Sequence, residues 1–203
     1  MQKIKNIAHI ILAAGSSSRM ETPKQLLPWE NDSLISYEIK KSLKIEQLVT
    51  YVVLGANFEI IKKEIAHFPI EILYHKEWES GMGSSISYGI QHILNSINNF
   101  DGLFISLVDQ PLIDVLHFQR LVSKFNTHKN MIIATGMKER IGAPAIFPYS
   151  YFKELLGLTK DYGARNIIKK YKDQIIIVSG NGKTSDIDTI EQYNVLIKRL
   201  KES

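Results

Sequence analysis

Apolar positions along the chain follow two rhythms. Seven short runs are apolar at odd and even positions alike: "IAHIILAA" (7–14), "LVTYVVLG" (48–55), "IEILYH" (70–75), "GLFISLVD" (102–109), "MIIATG" (131–136), "APAIFP" (143–148) and "QIIIVS" (174–179). Between them, apolar residues recur at helical spacing over 33–44, 57–67, 83–98, 112–126, 148–157 and 162–172. A strand that is apolar on both faces must be covered on both faces, so this alternation predicts a doubly wound α/β sheet between two helical layers. Pro144 cannot donate to a ladder, and its strand follows its predecessor closely. That run is therefore expected to lie antiparallel at an edge of an otherwise mostly parallel, mixed sheet. No Pro/Gly/Ser linker, repeat or low-complexity tract divides the chain, and residues 1–203 are expected to form one domain.

Composition narrows the chemistry. There is no cysteine among the 203 residues, which excludes disulfides, thiolate zinc sites and Cys-ligated iron–sulfur clusters and agrees with a reducing cytoplasm. No apolar run approaches the roughly 20 residues needed to span a bilayer, and no signal-peptide pattern opens the chain. The net charge of +4, from 25 basic and 21 acidic residues, suits an anionic small molecule and falls short of a nucleic-acid footprint.

In open α/β sheets, ligands bind beyond the carboxyl ends of the strands. Four suggestive segments follow strand ends: "LAAGSSSRMETPKQLLP" (12–28), "EWESGMGSS" (77–85), "VDQP" (108–111) and "GNGKTSDIDT" (180–189). The first joins backbone donors to Arg19 and Lys24, the combination that a phosphate chain requires. It is neither a Walker A loop nor a dinucleotide fingerprint, because serines follow Gly15. "GMGSS" reads as a capped helix N-terminus, a seat for a ribose or an anion. Glycine and serine after a strand also make ordinary turns, and a strand-end aspartate also caps helices, so each segment gains weight only beside the others.

Asp109 closes an apolar strand, while Asp186 and Asp188 flank Ile187 in "DIDT". Alternation along an extended segment would put those two carboxylates on one face. Should Asp109 and Asp188 meet on the rim, two hard oxygen ligands suit a Mg²⁺ ion that also binds substrate phosphates.

"LAAGSSSRMETPKQLLP", "GMGSSISYGI", "LVDQPLI", "GAPAIFP", "DYGAR" and "DIDT", in this order, resemble the nucleotidyltransferases that mature molybdenum cofactor, above all the molybdenum cofactor cytidylyltransferase branch. The resemblance implies a Rossmann-like fold of the nucleotide-diphospho-sugar transferase type. It implies transfer of CMP from CTP to the terminal phosphate of the phosphorylated pterin, with release of pyrophosphate. By position, Leu12, Ala13, Ala14 and Gly15 match the backbone that holds base and triphosphate, and Arg19 and Lys24 match phosphate-binding cations. Gly81 and Ser85 match the nucleoside side; Gly142, Pro144 and Arg165 match the acceptor pocket. Lys24, Arg19 and Asp109 are the implied catalytic residues. Asp109 and Asp188 are the implied ligands of Mg²⁺, for which Mn²⁺ can substitute, and Asp186 is held in reserve. A molybdenum hydroxylase or its accessory protein is the implied recipient, with no nucleic-acid or membrane partner. Other readings stay open: a GTP-using guanylyltransferase, a cytidylyltransferase for another small phosphate, or a non-catalytic protein that binds and delivers the cofactor.

Overall fold

The seven apolar runs become the strands of one sheet. A computed structural model describes residues 6–160 and 162–201, so Asp161 of "DYGAR" lies outside the described residues. In chain order the elements are β1 (Ile7–Ala13), the two-residue strands β2 (Pro28–Trp29) and β3 (Asp32–Ser33), α1 (Leu34–Leu43), β4 (Leu48–Leu54), α2 (Phe58–Ile65) and β5 (Glu71–Tyr74). There follow α3 (Met82–Leu94), β6 (Gly102–Leu107), α4 (Val115–Thr127), β7 (Ile132–Gly136), β8 (Ile141–Pro148), α5 (Phe152–Leu156), α6 (Arg165–Lys170), β9 (Ile175–Ser179) and α7 (Ile190–Lys201). The sheet order is β5-β4-β1-β6-β8-β7-β9, while β2 and β3 form a separate small hairpin. The expected 148–157 helix divides into a 3₁₀ turn, Tyr149–Tyr151, and α5. The 83–98 pattern stops as a helix at Leu94.

β8 is antiparallel to both β6 and β7, as expected, but it does not lie at an edge. The proline expectation fails because of a bulge. Ala134 pairs with Ala145, Thr135 pairs with Gly142, and the register shifts between them, so Ala143 and Pro144 fall in the irregularity. On the other side the ladder with β6 ends at Ile105–Ala145. Pro144 is thus tolerated in a central strand because neither neighbour needs its missing N–H. Reversal of this strand brings its first residues, Ile141 and Gly142, to the rim where the parallel strands end.

Alternate residues of β1 serve opposite layers. Ala8, Ile10 and Leu12 pack with Ile86, Ile90, Phe152, Leu155, Ile167 and Ile168, from α3, α5 and α6. Ile11 and Ala13 pack with Ile35, Ile39, Ile61, Ile65 and Leu196, from α1, α2 and α7. Ile7 joins Phe118, Leu121 and Phe125 of α4. At about 25 cal/mol per Å² of apolar surface, these two faces supply most of the driving force for the layered fold.

One polar chain crosses the core beneath β1. Ser106 donates to the Glu38 carboxylate (2.6 Å), so its oxygen accepts from His9 Nε2–H (2.9 Å). His9 Nδ1 then accepts from the Ser42 hydroxyl (2.6 Å), which in turn accepts from Thr50 (2.7 Å). Buried Lys41 pairs with Glu38 and donates to the Ile113 carbonyl (2.6 Å), tying α1 to the segment that follows Asp109. Burial, reinforced by the Lys41 charge, pushes the His9 pKa down to about 3. The imidazole is neutral, and every link of the chain is satisfied.

Candidate active site

Gln25 fixes the loop that leaves β1. Its side chain is 1% exposed, and Nε2 donates to the carbonyls of both Ala13 (2.8 Å) and Gly15 (2.9 Å). The Ala14 carbonyl accepts from Ala56 N–H (2.9 Å). Three successive carbonyls are thereby occupied within the protein, which keeps their negative ends away from an anion beside the loop. Ser17, in the left-handed region (φ 56), accepts from Met20 N–H with its carbonyl (2.8 Å) and from Lys24 N–H with its hydroxyl (3.0 Å). A Cβ built on Gly15 would meet nothing within 4 Å, leaving open space beside this residue.

That folded loop delivers Lys24 to the carboxylates. Its Nζ lies 2.9 Å from Asp109 Oδ2, 2.8 Å from the Ile187 carbonyl and 3.6 Å from Asp188 Oδ1. The "DIDT" segment reaches Asp109 because the chain turns back after β9. Gly180 N–H donates to Gly136 (2.9 Å), and Ile187 N–H donates to the Asp109 carbonyl (2.9 Å). Ile187 is fully buried and anchors the crossing. Asp186, on its other side, accepts from Gln110 Nε2 (2.8 Å) and from Arg140 (2.6 Å). Burial pushes the Asp109 carboxyl above the ordinary carboxylate range; Lys24 opposes this, and the charges of Asp186 and Asp188 add to it. Asp109 Oδ1 is buried without a hydrogen-bond partner.

Two cavities meet at Asp109. One, of about 300 Å³, is lined by Leu12–Ser16, Lys24 and Gln25 on one wall and by Trp78, Glu79, Gly81, Met82 and Ser85 on the other. The second, of about 310 Å³, has apolar walls that include Ile105, Ile141, Phe147 and Ile168, together with Gln110, Arg140, Arg165, Asp186 and Asp188. Leu12, Met82, Leu107 and Asp109 line both. Gly81 stands at the head of α3 with φ 101, a backbone that favours glycine. Gly83 N–H behind it is already used by the Lys160 carbonyl (2.8 Å).

The structure therefore brings together Leu12, Ala13, Ala14, Gly15, Lys24, Gly81, Ser85 and Asp109 at the first cavity, and Gly142, Arg165 and Asp188 at the second. It places Arg19 on the exposed part of the loop, outside both linings. Pro144 also stands outside them, its carbonyl occupied by the Thr135 hydroxyl (2.6 Å). Sequence reasoning missed Gln25, Gln110 and Arg140. Gln25 sits one residue after the recognised lysine, and Gln110 one after the recognised aspartate, yet an amide carries no motif of its own. Arg140 becomes visible only once β8 is known to start at the rim.

A Rossmann-like sheet whose carboxyl rim joins a Ser/Gly-rich loop, a lysine and strand-end aspartates is the architecture of the nucleotidyltransferases. The model of the MobA-like NTP transferase domain matches residues 9–175, and the chain belongs to that family. It is 27% identical to the purine catabolism protein PucB of Bacillus subtilis, with 94% of this chain and 96% of PucB covered. It is 28% identical to the nicotine blue oxidoreductase of Paenarthrobacter nicotinovorans, with the same coverage, 94% and 96%. Among solved structures, Rv0371c of Mycobacterium tuberculosis superposes with a TM-score of 0.82 at 21% identity, covering 97% of this chain and 99% of that one, and so shares the fold. A second structure of the same protein is described as a complex with manganese (TM-score 0.76, 19% identity, 95% and 98% covered).

Proposed function

We propose that the protein is a cytoplasmic cytidylyltransferase that moves CMP from CTP to the terminal phosphate of molybdenum cofactor, releasing pyrophosphate, and that the product passes to a molybdenum hydroxylase or its accessory protein. The observation that carries this reading is the contact of Lys24 with both Asp109 and Asp188 at the junction of two cavities, one beside the Gly15 loop and one with apolar walls.

Nucleotide and acceptor must react across that junction. CTP occupies the Leu12–Ser16 side, its base and sugar toward Gly81 and Ser85, and the acceptor's ring lies between the apolar walls of the second cavity. An acceptor phosphate is already ionised, so its oxygen can attack the α-phosphorus directly. As the new P–O bond forms, the bond to the β-phosphate breaks, and pyrophosphate leaves with the electron pair. Lys24 offsets the charge that grows on the α-phosphate, Arg19 on the exposed part of the loop holds the leaving pyrophosphate, and Arg165 grips the acceptor phosphate.

The donor set fits a hard divalent ion, because Asp109 Oδ1 is buried without a partner and Asp188 shares the Lys24 ammonium with Asp109 Oδ2. Among the described residues no three His, Asp or Glu side chains are grouped as metal ligands. Asp109 and Asp188 would hold Mg²⁺ or Mn²⁺, which supplies charge neutralisation to the triphosphate. The manganese complex described for Rv0371c supports a divalent ion.

The test is incubation of the purified protein with each nucleoside triphosphate, Mg²⁺ and molybdenum cofactor, with the product identified by mass spectrometry. CMP transfer and equimolar pyrophosphate are expected. Transfer from GTP alone overturns the base assignment, and cofactor binding without pyrophosphate release makes the protein a carrier.

A further inference from the structure

Gln110 is 1% exposed, lies on the lining of the apolar-walled cavity, and has an Oε1 that is buried without a hydrogen-bond partner. A buried acceptor with no donor is a cost that native proteins rarely retain without a use. The orientation of this amide is not arbitrary. Its nitrogen faces Asp186 Oδ1 at 2.8 Å, and a carboxylate only accepts, so the nitrogen must be on that side and the oxygen on the other. Asp186 is itself held at Oδ2 by Arg140 (2.6 Å). A chain of three side chains therefore fixes the polarity of an amide that borders the apolar-walled cavity, with its acceptor turned away from Asp186.

We propose that Gln110 determines which ring this cavity accepts: Oε1 takes a hydrogen bond from an exocyclic amino group of a flat nitrogen heterocycle, and Asp186 is the positioning residue that fixes this polarity. The inference rests on the reading that the acceptor's ring occupies this cavity. The walls formed by Ile105, Ile141, Phe147 and Ile168 suit the faces of such a ring, and Gln110 reads its edge. A ring with a carbonyl in place of the amino group would set oxygen against oxygen and is rejected.

The test compares direct binding of two fluorescent probes, 6-hydroxymethylpterin and 6-hydroxymethyllumazine, which differ in carrying an amino group or an oxygen at the same ring carbon. Wild-type protein is expected to prefer the pterin by about tenfold or more. Gln110→Met should abolish the preference by weakening pterin alone. Asp186→Asn supplies a donor of its own, lets the Gln110 amide turn over, and should shift the preference toward the lumazine, an inversion that a purely structural role would not produce. Should Gln110→Met fail to fold, the Asp186→Asn ratio decides. Equal binding of both probes by wild type, no pterin binding, a preference retained in Gln110→Met, or an unchanged ratio in Asp186→Asn overturns the proposal. Because no nucleotide is present, failed CMP transfer would sink the proposed reaction and leave this result standing.

Discussion

Lys24 Nζ stands 2.9 Å from Asp109 Oδ2 and 3.6 Å from Asp188 Oδ1, so a single ammonium joins the end of β6 to the segment returning from β9. If its positive charge serves the transition state more than the bound nucleotide, Lys24→Ala will lower kcat by about 10²-fold or more while CTP affinity falls much less. Steady-state kinetics beside direct CTP titration decide this. Weaker binding with unchanged turnover would make Lys24 a ground-state anchor.

Asp109→Ala is expected to fold and to lose metal-dependent turnover. Lys24 keeps the Ile187 carbonyl and Asp188 as partners, and the core beneath is untouched. Loss of the ligand should cost several kcal/mol, about 3 or more, of transition-state stabilisation. Pyrophosphate release and a thermal melt, measured on the same preparation, provide the check; wild-type activity would remove Asp109 from the site.

Arg165 opens α6 on the lining of the apolar-walled cavity. A planar guanidinium can make two parallel bonds to a phosphate that an ammonium cannot reproduce. Arg165→Lys should therefore raise the acceptor KM about tenfold with the CTP KM nearly constant. Equal effects on the two substrates, or none, would refute the assignment.

Two buried histidines make the fold acid-sensitive. Burial lowers the pKa of His9 to about 3 and, with help from the Arg120 charge, that of His117 to about 4. Both folded values lie below the unfolded value of 6.5, so as pH falls through 6.5 the unfolded chain takes up protons that the folded protein refuses. Their contribution is fully present above pH 6.5 and is lost toward the folded values, each histidine adding a slope of up to about 1.4 kcal/mol per pH unit. Urea unfolding between pH 7 and 5 should show this fall, and His9→Gln should make it shallower. A pH-independent midpoint over that range would contradict it.

Lys41→Met removes one member of a buried ion pair and strands the Glu38 carboxylate. The expected loss is about 3–5 kcal/mol in denaturant unfolding. Pairing it with Glu38→Gln should recover part of that loss, because the amide leaves no buried charge; no recovery would place the cost in the severed Ile113 contact instead.

The layered fold was legible because periodicity reports burial, and strands buried on both faces leave continuous apolar runs, as β1 and β6 do. Strand order was less accessible. Pro144 signals a missing donor, but whether that donor is needed depends on the register against β7, where an irregularity opposite Ala134–Thr135 leaves Ala143 and Pro144 unpaired and removes the need. At the site, Lys24, Asp109 and Asp188 stood out because charged groups after strands are chemically distinctive. Gln25, Gln110 and Arg140 act through geometry made by segments far apart in the chain: Arg140 meets Asp186 across 46 positions. Nothing local to either residue announces that meeting.

Reversal of β8 has a further consequence. The residues around Gly15 and Lys24 sit on a loop that leaves a parallel strand, whereas the neighbouring chamber is bordered by the hairpin between β7 and β8, where Met137 N–H bonds to the Arg140 carbonyl (2.8 Å) and Ile141 turns back into the sheet. A hairpin tip tolerates changes of length and composition that a strand-to-helix crossover does not. The two halves of the cleft can accordingly diverge at different speeds: residues 137–140 are the place where a descendant of this chain would acquire a new guest while the loop around Gly15 and Lys24 stayed as it is.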